Sequence, residues 1–185
     1  MARRPTDDAL IERAAEIADG ALTDGAVADL RQALARKGSI LVARAARAVA
    51  SLAATELLPD LLAAFDRLLD SPAKADEGCL AKVALVEAMD AMALADRAPF
   101  LRGIAAEQME PVWGGAEDTA APLRVQCAFA LARLGGADAM LAIAGLLTDA
   151  TSQARVGAVK AVAHRGGLEA ELLLRMKAGL GDEEL

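Results

Sequence analysis

Two consecutive stretches of the chain match each other, and they decide the fold. Residues 118–148 read DTAAPLRVQCAFALARLGGADAMLAIAGLLT, and residues 149–179 read DATSQARVGAVKAVAHRGGLEAELLLRMKAG. At this offset of 31 residues they share nine identities, among them the opening aspartate, an arginine six residues later and a Gly-Gly pair. Chance matching of two alanine-rich segments gives fewer, so the chain contains an internal repeat.

The same pattern recurs upstream of these stretches. An acidic residue, a basic residue six positions later and an alanine six positions after that appear again as Asp76, Lys82 and Ala88. A weaker copy has Gly38, Arg44 and Ala50. The sequence therefore predicts one domain, 1–185, in which an N-terminal helical hairpin (1–37) precedes four repeats, 38–75, 76–117, 118–148 and 149–181.

Each repeat has the pattern of two helices. In the third repeat, Val125, Ala128, Phe129 and Ala132 form an apolar stripe at helical spacing, and the Gly-Gly pair at 135–136 follows, as expected just beyond a helix end. Proline opens the second helix of the first two repeats, at Pro59 and Pro99, where the missing N–H has no intrahelical partner.

The N-terminal stretch predicts two further helices. One runs from about Asp7 to Asp19 with Thr6 as its cap, and the other runs from about Asp24 to Lys37 with Thr23 as its cap. With these, the chain comprises about four to five helical hairpins.

Composition agrees with an all-α protein. The chain contains 47 Ala and 28 Leu, both strong helix formers, but only three Phe, one Trp and no Tyr. Because few large side chains are available, we expect a thin core in which helices approach closely at alanine positions.

The repeats resemble the HEAT repeat, especially the bacterial type named after the phycobilisome lyases. The resemblance covers residues 38–182 and is weakest in the first repeat, where Gly38 replaces the aspartate. The segments 78–82 (GCLAK) and 108–115 (QMEPVWGG) resemble those of bacterial HEAT-repeat proteins of unassigned function. The resemblance implies a right-handed α-α superhelix, an armadillo/HEAT-like solenoid, which usually serves as a scaffold for protein partners.

Charge and cysteine usage narrow the function classes. The formal net charge is −7, which argues against nucleic acid or a membrane surface as a partner. The longest uncharged run has ten residues, Ala139 to Thr148, and Met-Ala-Arg-Arg-Pro at the N-terminus does not begin a secretory signal. Cys79 and Cys127 lie in apolar helical runs, which predicts buried free thiols and fits a bacterial cytoplasm.

The repeated charges favour a structural role. An aspartate before a helix can accept from free backbone N–H groups, and the basic residue six positions later can reach the turn of a neighbouring repeat. We therefore predict an ion-pair ladder that ties one repeat to the next, with no catalytic role. Its members are Asp76, Lys82, Asp118, Arg124, Asp149 and Arg155.

One segment breaks the repeat. Between about Ala106 and Leu123 the helical pattern gives way to a stretch with the only Trp, four acidic residues and no basic residue. Trp113 has two interpretations: a buried plug over the junction of two repeats, which is slightly favoured, or an exposed binding residue. In the second case the partner-binding residues are Gln108, Glu110, Trp113 and Glu117.

Candidate catalytic groups are sparse. The single histidine, His164, aligns with Arg133 and is expected on a helix surface, and two Cys with one His cannot form a zinc cluster. Glu107 and Glu110 could share a helical face as paired carboxylates, but no nucleophile is identifiable nearby. We expect no metal and no cofactor. Whether any chemistry occurs stays open.

The leading hypothesis is thus a non-catalytic scaffold that binds a protein or peptide, favoured to be basic, on its concave face or through the 107–118 loop. The alternative is an enzyme or lyase accessory protein, similar to bilin lyases or, less favoured, to HEAT-like DNA glycosylases. At the C-terminus, Gly181 and Asp182 stand where another repeat would begin. The last helix therefore leaves an apolar face that predicts weak self-association or a contact with further repeats.

Overall fold

The computed structural model describes residues 6–182. Residues 1–5 and 183–185 lie outside the described residues. The prediction that the N-terminus does not begin a secretory signal and part of the predicted start of a further repeat fall on them. Within the described part, ten α-helices and one two-stranded sheet form, so the all-α prediction is confirmed. The chain divides into two compact units, residues 1–94 and 95–185.

The first unit contains five helices, and α3 lies at its centre. α3 packs against α1, α2 and α5, while α4 packs against α2 and α5. Four alanines of α3 (Ala43, Ala45, Ala46 and Ala48) are at most 1% exposed, so this core is as thin as the composition predicts. The helices are α1 (Asp7–Ala18), α2 (Asp24–Leu34), α3 (Ser39–Ser51), α4 (Leu58–Leu69) and α5 (Leu80–Ala91).

The predicted caps of the first two helices are confirmed. The Thr6 hydroxyl accepts from the Ala9 N–H and the Thr23 hydroxyl accepts from the Ala26 N–H. α2 ends at Leu34, three residues before the predicted end. The Arg67 guanidinium donates to the Leu34 carbonyl at 2.7 Å and to the Arg36 carbonyl at 3.0 Å, which satisfies acceptors at this helix end. Burial lowers the pKa of Arg67.

The second unit also contains five helices, with a β-hairpin between the first two. α7 packs against α6, α8 and α9, and α10 packs against α9. The elements are α6 (Ala98–Ile104), β1 (Met109–Val112), β2 (Gly115–Asp118), α7 (Ala121–Leu134), α8 (Ala137–Leu146), α9 (Ser152–Arg165) and α10 (Gly167–Leu180).

Glycine pairs end the first helices of the last two repeats, as the sequence predicted. Gly135 and Gly136 follow α7 with φ of +70° and +100°, and Gly166 and Gly167 follow α9 with φ of +65° and +85°. Only glycine adopts two successive positive φ values at little cost, so the pairs allow the chain to reverse direction within two residues.

The other local predictions can also be checked. Cys79 and Cys127 are buried free thiols, as expected. His164 lies exposed on α9, where its ring contacts Phe129 edge to face with ring centroids 6.2 Å apart. Among residues 6–182, no helix is long and apolar enough to cross a membrane.

Candidate functional site: an exposed β-hairpin

The segment that breaks the repeat forms a β-hairpin, which the sequence reading did not predict. β1 and β2 pair antiparallel, with Glu110 opposite Glu117 and Val112 opposite Gly115. A two-residue turn of Trp113 and Gly114 joins them, and Gly114 supplies the positive φ, +94°, that such a tight turn requires. The interpretation of Glu107 and Glu110 as a pair on a helix is therefore wrong, because neither residue lies in a helix.

Trp113 is fully exposed, so the prediction of a buried plug is wrong. The tight turn explains the difference, because it holds Trp113 at the tip of the hairpin, beyond the paired residues. Met109 and Val112, on the adjacent strand, are also about half exposed. Three large apolar side chains within five residues of one another are thus exposed to solvent.

The base of the hairpin is held by a polar network around Glu110. The Gln108 side-chain amide donates to Glu110 Oε1 at 2.6 Å, and the Thr119 hydroxyl donates to the same oxygen at 2.8 Å. The Thr119 N–H donates to the Gln108 carbonyl at 2.9 Å, which continues the strand pairing by one step. Glu110 is therefore fixed in place, with Glu117 directly opposite it on the neighbouring strand.

Side-chain alternation places Gln108, Glu110, Glu117 and Thr119 on the same face of the hairpin. Like charges directly across a strand pair destabilise it. The two hydrogen bonds to Glu110 offset part of that repulsion. The face thus carries two carboxylates on directly opposed strand positions, to which a positive charge would be attracted.

Asp118 connects the hairpin to the helix that follows. Its Oδ1 accepts from the backbone N–H groups of Gln108 and Ala120, both at 3.0 Å, and its Oδ2 accepts from Arg124 at 2.6 Å. Burial alone would raise the pKa of Asp118, but these three donors outweigh it and hold the pKa below its ordinary value. Asp118 is therefore a charged anchor for both ends of the hairpin.

Arg124 continues the contacts into the next repeat. Its side chain is 4% exposed, and its Nε lies 3.1 Å from Asp149 Oδ2. It also donates to the Ala106 carbonyl at 2.8 Å and to the Thr151 hydroxyl at 3.2 Å. One guanidinium thus joins the segment before the hairpin, the hairpin itself and the turn before α9.

The other ladder residues form similar pairs. Arg155 donates to the Asp149 carbonyl at 3.0 Å and pairs with Asp182 at 2.7 Å. In the first unit, Lys82 Nζ lies 3.0 Å from Asp76 Oδ2, and both side chains are buried. Arg44, which occupies the same repeat position where the aspartate is replaced by Gly38, is exposed.

The structure thus brings Gln108, Glu110 and Glu117 together on one face and places Trp113 at the tip. The sequence did not indicate Val112 and Thr119 as members of this face, nor that Met109 is exposed on the opposite face. The Trp-Gly turn between short segments containing valine and alanine was the available indication of a hairpin, but Pro111 and the acidic residues weakened it.

Within the described residues, no group of three or more His, Cys, Asp or Glu side chains is placed to hold a metal ion. No family model matches the chain, and no curated protein matches it. The resemblance to HEAT repeats therefore rests on the repeat residues themselves.

Proposed function

We propose that this chain is a non-catalytic, HEAT-like α-solenoid scaffold that binds a basic segment of a protein partner through its β-hairpin. The helix packing within each unit supports the solenoid. α3 packs on α1 and α5 in the first unit, and α7 packs on α9 in the second. First helices of successive pairs therefore lie side by side, as repeat stacking requires.

The observation that carries the binding proposal is the full exposure of Trp113. Tryptophan is among the residues that contribute most to protein interfaces, and here it directly follows the exposed Val112, while Met109 is exposed nearer the base of the hairpin. Exposed apolar side chains grouped in this way commonly mark an interaction site. The strand pairing adds to this, because it fixes the backbone on both sides of Trp113 before a partner binds, so less backbone entropy is lost on binding.

The charges indicate the chemistry of the partner. Residues 107–118 contain Glu107, Glu110, Glu117 and Asp118 and no Lys or Arg. A lysine or arginine of the partner would lie near the opposed Glu110 and Glu117 and relieve their repulsion. Its side chain could also stack on the face of Trp113, a cation–π contact worth about 0.5–1 kcal/mol at an exposed site.

A second surface of the same scaffold would be formed by the second helices of the repeats. Leu141 on α8 and Leu172 on α10 occupy equivalent repeat positions, and both are exposed. In a solenoid such helices line the concave face, so a longer partner could contact this face as well as the hairpin.

The proposal is tested by selecting ligands from a random peptide library displayed on phage, with the full chain as bait. We expect enrichment of peptides containing Lys or Arg, whose binding weakens at least about tenfold in Trp113→Ala and in Glu117→Lys. Trp113 is the only tryptophan, so its emission reports binding of each selected peptide to the wild-type chain directly.

Matched controls separate the hairpin from the rest of the chain. Ile40→Ala removes another exposed apolar side chain, and Glu56→Lys makes the same charge change in the first unit. Both should bind the selected peptides like the wild type, and Leu141→Ala reports on the second helices. Selected peptides that bind Trp113→Ala and the wild type equally would refute the hairpin as the binding site.

A further inference from the structure

The outer face of α10 carries an apolar stripe. Leu168, Leu172, Met176 and Leu180 recur every four residues and are between 54% and 72% exposed. The opposite side of the helix, which includes the buried Ala170 and Lys177, packs toward α9. Side chains spaced by four residues form one continuous ridge, the type of surface that packs into the groove of another helix.

A charged pair runs along one edge of this stripe. Glu171 and Arg175 form an ion pair, with Arg175 Nη2 2.6 Å from Glu171 Oε1, and both side chains are exposed. Because they directly precede Leu172 and Met176, they lie on the same edge of the stripe, one turn apart. Any helix that packs on the stripe therefore meets one negative and one positive charge in a fixed order.

The stripe and the charges are self-complementary when two copies of α10 run antiparallel. If Leu172 of one copy lies opposite Met176 of the other, Leu168 lies opposite Leu180. A two-fold axis then brings the charged edges of both copies together. Glu171 of each copy lies about 3 Å along the helix axis from the level of Arg175 of the other, within reach of an ion pair.

A parallel arrangement lacks this complementarity. In a parallel pair the charged edge of one copy meets the opposite edge of the other, which carries Glu169 and Leu173. Glu171 would then lie near a like charge and Arg175 near an apolar side chain. The charges therefore favour the antiparallel arrangement.

We propose that two copies of this chain associate through α10, packed antiparallel about a two-fold axis. Such an interface is isologous, so one surface serves both copies and the assembly closes at a dimer. The proposed contact uses α10 and none of the hairpin residues, so it can be tested separately from binding at the hairpin, whereas a longer partner that also covered Leu172 would compete with it.

The size of the stripe sets the strength of the dimer. Stable interfaces use about 20–30 residues from each side, whereas α10 offers four apolar side chains and one charged pair. We therefore expect a dissociation constant on the order of 0.1–1 mM, with a dimer populated only at high protein concentration.

Sedimentation equilibrium of the full chain from about 20 μM to about 2 mM tests the proposal. The wild type should pass from monomer to dimer, and Leu172→Glu with Met176→Glu should weaken dimerisation at least about tenfold. Leu141→Glu, which makes the same change at the equivalent position of α8, should alter it less than about twofold. A wild type that stays monomeric throughout, or equal loss in Leu141→Glu, would overturn the proposal.

Charge reversal tests the antiparallel register. Glu171→Arg makes the net charge less negative and so lowers the general repulsion between copies, yet it places a second guanidinium against Arg175 of the other copy. We expect dimerisation about threefold weaker, with recovery when Arg175→Glu is added. Unchanged or tighter dimerisation in Glu171→Arg would refute this register, and circular dichroism of each variant verifies that α10 stays folded.

Discussion

Replacing Arg124 with methionine should lower the stability of the second unit more than substitution of an exposed residue does. The Arg124 side chain is 4% exposed and pairs with Asp118 at 2.6 Å and with Asp149 at 3.1 Å. Methionine keeps most of the buried aliphatic volume but leaves both carboxylates without this cation. Removing one partner of a buried ion pair costs about 3–5 kcal/mol, and we expect a cost in that range although both carboxylates keep backbone donors.

Thermal and urea unfolding followed by circular dichroism measure this loss. A loss of about 4 kcal/mol lowers Tm by about 10 °C if all 185 residues unfold together, and by about 20 °C if the unit 95–185 unfolds separately. The matched control is Arg44→Met, at the same repeat position in the first repeat, where the side chain is exposed. It should change the free energy of unfolding by less than about 0.5 kcal/mol.

A double variant examines the cause of the loss. Adding Asp149→Asn to Arg124→Met removes one of the stranded charges and should restore part of the lost stability, whereas independent effects would make the double variant worse. A loss below about 1 kcal/mol in Arg124→Met, or a loss as large in Arg44→Met, would refute the reasoning that Arg124 neutralises two partly buried carboxylates.

The pH dependence has a definite sign. The pKa of Asp118 is lowered in the folded chain, so its stabilising contribution is present above the unfolded pKa, about 3.9, and is lost as the pH falls through the folded value. In Arg124→Met the same carboxylate keeps its two backbone donors but loses Arg124, so less of this pH-dependent stabilisation remains. The difference in stability between wild type and variant should therefore be largest near neutral pH and shrink below about pH 4.

Two other substitutions have defined outcomes. Gly157→Ala places a Cβ against the side chain of Val125. The overpacking, about 1–3 kcal/mol, should exceed the gain in helix propensity of up to about 1 kcal/mol, so the free energy of unfolding measured in urea should fall. Adding Val125→Ala should restore it. Lys82→Met removes the cation beside the buried Asp76 and should lower the free energy of unfolding, measured in urea, by about 3 kcal/mol. No change in stability would show that the backbone N–H groups of Ala81 and Lys82 are enough to stabilise the charged carboxylate.

Features of the fold that depend on neighbours in sequence were predictable. The caps Thr6 and Thr23, the glycine pair at 135–136 and the proline in the first turn of α4 each act within a few residues. Their backbone requirements are visible in the residue types themselves, because a cap needs a side-chain acceptor and a positive φ needs glycine. Helix ends were less accurate, since α2 ends where a side chain from α4 meets its carbonyls.

The hairpin depended on contacts that the residue types do not display. A lone tryptophan in a short loop is buried more often than not, and this tendency is the reason why the sequence favoured a buried Trp113. The deciding factor was the pairing of residues 109–112 with 115–118, which fixed Trp113 in a two-residue turn and kept it away from the core. Pro111 and four acidic residues made this pairing hard to anticipate, because both are depleted in strands.

The position of the hairpin explains how the repeat tolerates it. In the second repeat, Asp76 accepts from two N–H groups at the start of the following helix, those of Ala81 and Lys82. In the third repeat, Asp118 is the last residue of β2 and accepts from Gln108 before the hairpin and from Ala120 before α7.

Asp118, the aspartate at the start of the third repeat, therefore also holds the base of the hairpin closed. Its contacts with Gln108, Ala120 and Arg124 keep the repeat and the hairpin base joined. Trp113, at the tip, lies at the far end of the strand pair from this anchor and takes part in none of those contacts. Changes at the tip should thus alter binding without unfolding the repeat, whereas changes at Asp118 or Arg124 should affect both, and this separation makes the binding proposal and the stability predictions independently testable.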